Sequence, residues 1–167
     1  MTRVRVATPD DADAVTGVLE ASYPTLMAPA YPAEMLAPAL VLMTRANPAL
    51  LACGTFFVAE DASGTIVGCG GWTPGLPGTK PAPGDATTGH VRHFAVHPQA
   101  LRRGVGRALI SRTVDDARAA GMTRLSCYSS LVAVEFYASA GFTPLEERTV
   151  LLAEGVPIRT VVMELGL

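Results

Sequence analysis

The chain has 167 residues, of which 49% are hydrophobic and 17% charged, and its formal net charge is −2. This length and composition suit one globular domain with a sizeable core, and we expect residues 1–167 to form that single domain. The near-neutral charge leaves no basic excess for nucleic acid or for an anionic membrane, so we expect neither as a partner.

The cysteines and the absence of long apolar runs in the sequence indicate the cellular compartment of the protein. Cys53, Cys69 and Cys127 are odd in number and lack metal-type spacing, so we interpret them as reduced thiols and expect no metal site. The apolar runs are short and interrupted, and the N-terminus lacks the features of a signal peptide. These observations predict a cytoplasmic protein without a membrane span.

The first half of the chain predicts helices at its start and then a hairpin. The predicted elements are a strand at residues 3–6, helices over residues 9–22 and 33–46, and strands over residues 56–60 and 65–72. Pro24 is predicted to break the chain after the first helix, and Pro38 to split or kink the second. Gly68, Gly70 and Gly71 indicate a bulge or a close backbone approach in the second hairpin strand.

The second half predicts alternating strands and helices. In order these are a strand over residues 90–96, a helix over 104–120, a strand over 125–129, a helix over 132–140, and strands over 145–152 and 158–165. Residues 74–89 are rich in proline and glycine, which indicates a functional flap or a mobile connection. The order predicts an α+β domain whose mixed, largely antiparallel sheet is flanked by helices, with one parallel crossover between residues 90–96 and 125–129.

The start of the helix at residue 104 has the features of an anion site. Gly104 and Gly106 let a phosphate approach free backbone N–H groups at the positive end of the helix dipole. Arg102, Arg103 and Arg107 add positive charge. The run lacks the residues of a Walker A loop and of a dinucleotide fingerprint. The alternative is a basic helix start whose glycines serve packing alone.

Three segments together resemble the GNAT superfamily of N-acetyltransferases. They are residues 94–98, residues 102–109 and residues 136–142, and the element order of nearly the whole chain is similar to that family. Leu101 departs from the family's [Q/R]-x-x-G-x-[G/A] pattern, where glutamine or arginine stands first. The resemblance implies that the loop binds the pyrophosphate of acetyl-CoA, mainly through backbone N–H groups.

The resemblance also implies a set of residues around acetyl-CoA. The backbone of a splayed strand would pair with the pantetheine arm, the arginine–glycine loop would surround the pyrophosphate, and a serine stands where many members carry a cofactor-binding asparagine. The implied residues are Phe94, Ala95 and Val96 in the strand, Arg102, Arg103, Gly104, Val105, Gly106 and Arg107 in the loop, and Ser130.

Acetyl transfer to an amine needs a proton acceptor for the amine and benefits from a proton donor for the leaving thiolate. Tyr137 matches the family's general acid, although a core aromatic would fit the same position. His90 is the candidate base, with a solvated histidine as the alternative. Strand alternation predicts His90, Arg92, Phe94 and Val96 on one face and His93, interpreted as structural or surface-exposed, on the other. Glu60 is a further candidate base acting through water, and Cys127 is not expected to be a nucleophile.

We therefore predict an N-acetyltransferase that moves an acetyl group from acetyl-CoA to a primary amine on a small molecule by direct attack. The alternatives are a non-catalytic acyl-CoA-binding or sensing module of the same fold, and a nucleotide-phosphate enzyme. A protein N-terminus as acceptor and a homodimer as assembly remain open. The acceptor pocket is expected from residues 23–46 and 74–89, and Tyr23, Trp72 and Tyr128 either line it or belong to the core.

Overall fold

The computed structural model describes residues 1–75 and 85–167. Within them the strands are β1 (Arg3–Val6), β2 (Phe56–Glu60), β3 (Ile66–Thr73), β4 (Thr88–Val96), β5 (Arg124–Ser129), β6 (Thr143–Ala153) and β7 (Val156–Gly166). The helices are α1 (Ala12–Met27), α2 (Ala33–Met43), α3 (Pro48–Ala52), α4 (Val105–Ala119) and α5 (Val134–Ser139). Over the same residues, no helix has the length and apolar character that a membrane crossing requires.

The seven strands form one sheet in the order β1-β2-β3-β4-β5-β7-β6. The pairing of β4 with β5 is parallel, whereas every other neighbouring pair is antiparallel. A parallel pair needs a crossover, and α4 supplies it between β4 and β5. The predicted α+β class, with a mixed and largely antiparallel sheet and this parallel crossover, is confirmed.

Helices cover both faces of the sheet at β2 and β3. The apolar stripe of α4, which includes Leu109, packs with Phe57 of β2 on one face. On the other face Leu19 of α1 packs with Phe56 and Val58 of the same strand. Successive residues of a strand point to opposite faces, so β2 divides its side chains between the two cores. This explains why its first four residues are all buried.

The helices near the N-terminus differ from the sequence prediction. The predicted break at Pro24 is wrong, because α1 continues through this proline to Met27 after a 3₁₀ turn at Pro9–Asp11. An interior proline costs a helix about 3 kcal/mol, but Leu19 and Met27 on either side are 0% and 2% exposed. Burial of these side chains compensates for the lost hydrogen bond. Likewise α2 tolerates Pro38 and ends at Met43 rather than residue 46, and α3 was not predicted.

The glycines of β3 confirm the predicted close approach. A Cβ on Gly70 would lie 2.5 Å from the ring of Phe94, and one on Gly71 would lie 2.3 Å from the carbonyl oxygen of Thr55. The predicted loop at residues 74–89 is shorter than expected, because β4 already begins at Thr88. Residues 76–84 of that loop lie outside the described residues.

Candidate active site

β4 and β5 pair only near their first residues, residues 88–90 with residues 124–126. Beyond this point β4 stays paired with β3 as far as Val96, and β5 stays paired with β7 as far as Ser129. The two strands therefore diverge, and the backbone of residues 94–96 faces the opening. A groove of about 490 Å³ lies there, lined by residues of α1, β4, α4 and α5.

The loop before α4 borders this groove with free backbone donors. Arg102 and Gly104 have positive φ angles of 60° and 80°, a conformation that costs glycine little. The first hydrogen bond of α4 runs from the N–H of Ala108 to the carbonyl of Gly104, at 2.9 Å. In the described part of the chain, no backbone N–H from Arg102 to Arg107 donates a hydrogen bond. Six consecutive donors are thus available to an anion.

Side chains around the loop add charge and close packing. Arg102 and Arg107 line the groove and are exposed, whereas Arg103 is exposed but does not line it. No ion pair engages these three arginines within residues 1–75 and 85–167. A Cβ on Gly106 would lie 2.9 Å from the ring of Phe136. Gly106 therefore serves packing as well, because it lets α5 approach the start of α4.

Tyr137 lies at the inner end of the groove. Its ring packs against Phe94, Phe136 and Phe142, with centroid distances of 6.1, 5.1 and 5.4 Å. The residue is 6% exposed and lines a cavity, and its hydroxyl forms no hydrogen bond to the described residues. Burial raises the pKa of this phenol well above 10, so the hydroxyl stays protonated and can donate a proton or a hydrogen bond.

A second cavity of about 270 Å³ adjoins the groove on the side of β5, β6 and β7. Its walls include His90, Arg92 and His93 of β4 and Tyr128 of β5. Six residues line both spaces, and these are Tyr23, Met27, Phe94, Ser130, Ala133 and Tyr137. The two cavities therefore meet beside Tyr137, and we call this region the junction. A molecule in each cavity could touch the other there.

A bulge in β4 changes the predicted orientation of its side chains. His93 has a φ of 43°, and the register of β4 against β3 shifts between Cys69 and Gly71. Phe94 and Val96 pack on the α4 face, whereas His90 and Arg92 lie on the opposite face. The prediction that these four residues share one face is wrong, because one extra residue reverses the alternation. His93, interpreted from the sequence as structural or surface-exposed, lines the second cavity with His90.

The titratable groups of the second cavity are perturbed by burial. Burial lowers the pKa of His90 and of His93 below the ordinary 6.5, and the nearby guanidinium of Arg92 lowers both further. Each imidazole is therefore neutral at pH 7 and able to accept a proton. Burial also lowers the pKa of Arg92 to about 10.

Other sequence candidates lie elsewhere or are engaged. Glu60 accepts a hydrogen bond from Arg5 at 2.7 Å and lines neither cavity. Trp72 is in the core under α4, where its indole N–H donates to Asp116 at 2.9 Å. Cys127 lines the second cavity, but burial raises the pKa of its thiol to about 12, which disfavours the nucleophilic thiolate. In the ranges that the structure describes, His, Cys, Asp and Glu side chains form no group of three suited to a metal.

Three residues that line the cavities were not assigned to the site from the sequence. Arg92 and His93 were not proposed for the site, and Met27 lies at the junction. The available signal for Arg92 was a charged residue in the middle of a strand, between Val91 and His93. Of the predicted cofactor residues, Arg103 does not line the groove and the other nine do.

The acetyltransferase (GNAT) domain family model matches residues 52–144, which is more than half of the chain. The chain therefore belongs to this acetyltransferase family. It is also 41% identical over 64 residues to a mycothiol acetyltransferase from Beutenbergia cavernae. That alignment covers 36% of this chain and 22% of the relative, so the match spans about a fifth of that protein's length.

Solved structures show the same fold. A GCN5-related N-acetyltransferase from Rhodopseudomonas palustris superposes with a TM-score of 0.79 at 24% identity, over 100% of this chain and 96% of that chain. PaiA N-acetyltransferase from Thermoplasma acidophilum, solved in complex with coenzyme A, superposes with a TM-score of 0.74 at 15% identity, over 100% and 99% of the two chains. These likenesses confirm the predicted GNAT-like fold.

Proposed function

We propose that this protein transfers an acetyl group from acetyl-CoA to a primary amine of a small molecule. The observation that carries the proposal is the junction, where a groove with an anion-binding loop meets a second cavity beside a buried tyrosine hydroxyl. A donor bound in the groove and an acceptor bound in the second cavity would meet and react at the junction. The volume of the second cavity, about 270 Å³, favours a small acceptor over a folded protein.

The groove has the features needed to hold acetyl-CoA. The six free N–H groups from Arg102 to Arg107, with the positive end of the α4 dipole, would bind the pyrophosphate. Leu101 does not weaken this arrangement, because the donors belong to the backbone. The backbone of Phe94, Ala95 and Val96, which does not pair with β5, would pair with the amides of the pantetheine arm, and Ser130 would contact the arm at the junction.

Bound acetyl-CoA supplies an activated acetyl group that an amine nitrogen can attack directly. Tyr137 would act as general acid, because its hydroxyl is protonated, has no hydrogen-bond partner among residues 1–75 and 85–167, and is located at the junction. Its proton would pass to the thiolate sulfur as the carbon–sulfur bond breaks. Phe94, Phe136 and Phe142 hold the ring in one position, so that the proton donor is oriented before reaction.

The proton lost by the amine would pass to a histidine of β4. His90, the base expected from the sequence, lines the second cavity at the end where it meets a polar groove with Asp85. His93 lines the same cavity and is adjacent in sequence to Phe94 of the junction. Both are neutral at pH 7, and this position favours His93 as the group nearer to the reacting nitrogen.

The proposal is tested by supplying acetyl-CoA with a library of small primary amines and measuring release of free thiol. Release that depends on a particular amine, with a matching N-acetylated product by mass spectrometry, would support it. Coenzyme binding without turnover of any amine would instead favour a non-catalytic acyl-CoA-binding module. Thermal shifts with coenzyme A, ATP and NAD test the groove separately, and stabilisation by ATP or NAD in preference to coenzyme A would contradict the donor assignment.

A further inference from the structure

In the described part of the chain, no carboxylate lines the second cavity. Its charged or titratable wall residues, apart from tyrosines and a cysteine, are His90, Arg92 and His93, and none of its lining residues is Asp or Glu. A site that selects a bare ammonium group normally offers it an acidic side chain. Among the described residues that line this cavity, the one permanent charge is that of Arg92 and is positive, which favours an acceptor that also has a negative group.

Arg92 is only partly satisfied by the protein. Its Nε donates to the hydroxyl of Thr73 at 2.9 Å, and one terminal nitrogen donates to the carbonyl of Gly75 at 2.7 Å. Both acceptors are neutral. The other terminal nitrogen has no acceptor, and the guanidinium has no ion pair, among residues 1–75 and 85–167. The nine remaining residues contain no Asp or Glu.

Two neighbouring arginines form ion pairs with carboxylates, whereas Arg92 forms none with the described residues. Arg124 pairs with Glu164 at 3.7 Å, and Arg148 pairs with Glu146, in the polar groove beyond the cavity. Arg92 is partly buried and yet has no carboxylate of its own. A buried charge is costly unless it is paired, so this position is best explained by a partner from outside the chain. The planar guanidinium fits a carboxylate with two parallel hydrogen bonds.

Arg92 lies close to the junction, where the acetyl transfer would occur. Arg92 precedes Phe94 of the junction by two residues, which is at most about 7 Å along the strand. One small molecule can therefore reach both the guanidinium and the junction. Much of the remaining wall is apolar, and its aliphatic residues include Met27, Met43, Val150, Leu152 and Ile158.

We propose that the acceptor is an amine that also bears a carboxylate, as in an apolar amino acid, and that Arg92 binds this carboxylate and so determines specificity. This inference rests on the proposed function and names the class of acceptor for the same site. Arg92 is a specificity residue here and takes no part in proton transfer. The amine points to the junction while the apolar side chain packs on the aliphatic wall.

The test compares apolar amino acids with their carboxamides, which keep the amine and the side chain but lack the negative charge. L-leucine, L-methionine and L-phenylalanine are assayed against their amides by thiol release, at equal concentrations of free amine. We expect the acid to be preferred in kcat/KM by about tenfold or more, as for a charged hydrogen bond. Arg92→Gln should reduce that preference to within about twofold, and Arg92→Lys should keep part of it.

Three controls separate binding from folding. Thr73→Val removes one neutral partner of Arg92 but keeps the charge, and should retain the preference for the acid. Arg159→Gln makes the same change of charge at an arginine that pairs with Glu147 at 3.0 Å outside the cavity, and should also retain it. Circular dichroism and coenzyme A affinity, expected to be unchanged in Arg92→Gln, show that the variant is folded.

A binding experiment separates this inference from the proposed function. N-acetyl amino acids and their amides are titrated into the protein loaded with coenzyme A, which requires no turnover. Binding of the acid that depends on Arg92, without acetylation of any amine, would support carboxylate binding by Arg92 and contradict the proposed function. Equal turnover of acids and amides would support the function and overturn the inference, as would a failure of every N-acetyl acid in the set to bind.

Discussion

The hydroxyl of Tyr23 donates a hydrogen bond to the carbonyl oxygen of Phe94 at 3.0 Å. This bond joins α1 to β4 where β4 has left β5, and both residues line the junction. Burial raises the pKa of Tyr23 far above its ordinary value, so the bond persists at every pH at which the protein is assayed. The diverging strand is thus held on one side by β3 and from above by α1.

Tyr23→Phe tests this contact. Loss of the bond should lower the free energy of unfolding by about 1 kcal/mol and weaken coenzyme A binding several-fold, because the backbone of residues 94–96 becomes less ordered. Chemical denaturation and calorimetric titration measure the two effects. Tyr31→Phe is the matched control, since its hydroxyl bonds to Arg159 and Leu131 and it does not line the groove. That variant should lose stability without losing coenzyme affinity.

Gly104→Glu should abolish coenzyme binding. The side chain would add negative charge and bulk at the six free N–H groups, and we expect the Kd for coenzyme A to rise at least about a hundredfold, or ~2.7 kcal/mol. Gly121→Glu is a close control, because Gly121 has a φ of 83° against 80° for Gly104 and lies at the other end of α4. Both variants bear a similar backbone strain of roughly 1–2 kcal/mol. Equal coenzyme affinity in the two would contradict the loop assignment.

Tyr137→Phe should lower turnover far more than binding. Removal of a general acid costs on the order of a hundredfold or more in kcat, whereas the Kd for coenzyme A should change by less than about twofold, since the ring packing is kept. Pre-steady-state measurement of acetyl transfer separates chemistry from product release. Glu135→Gln, an exposed change in the same helix outside both cavities, should leave both quantities unaltered. An unaltered chemical step in Tyr137→Phe would remove its role as acid.

The pH profile distinguishes the two histidines. A base is active when it is neutral, and burial lowers the pKa of His90 and His93 below 6.5. We therefore expect kcat/KM to retain the contribution of the base at pH 7 and to lose it only as the pH drops below 6.5, through the lowered pKa of the histidine. In the variant that lacks the base, the loss of kcat/KM relative to the wild type should be largest near neutral pH. This loss should shrink as the pH approaches the pKa of the acceptor amine, because the amine is then already deprotonated.

His90→Gln, His93→Gln and His97→Gln are compared over this range. His97 lines neither cavity, and its Nδ1 accepts from the backbone N–H of Gln99, so its replacement serves as the control. A larger deficit in His93→Gln than in His90→Gln would assign the proton to His93. Three superimposable profiles would show that neither histidine of β4 accepts it.

Local features were predictable from the sequence. The loop from Arg102 to Arg107 depends on glycines, arginines and a helix start that are adjacent in the chain, so its conformation and charge are encoded within a few residues. The same is true of the strands and of α4 and α5, whose periodic apolar residues and terminal glycines mark them. The N-terminal helices were less predictable. At Pro24, for example, burial of Leu19 and Met27 decided whether the helix continued.

The second cavity was decided by contacts between distant segments. The bulge at His93 arises in the pairing of β4 with Cys69 and Gly71 of β3, and that one extra residue separates Arg92 from Phe94 onto opposite faces. No periodicity within β4 could predict this, since alternation assumes regular pairing. The sequence by itself therefore determined the loop from Arg102 to Arg107, which we propose binds the donor, because its features are local. Only the tertiary structure decided which residues of β4 face the second cavity, because that depends on how one strand pairs with another.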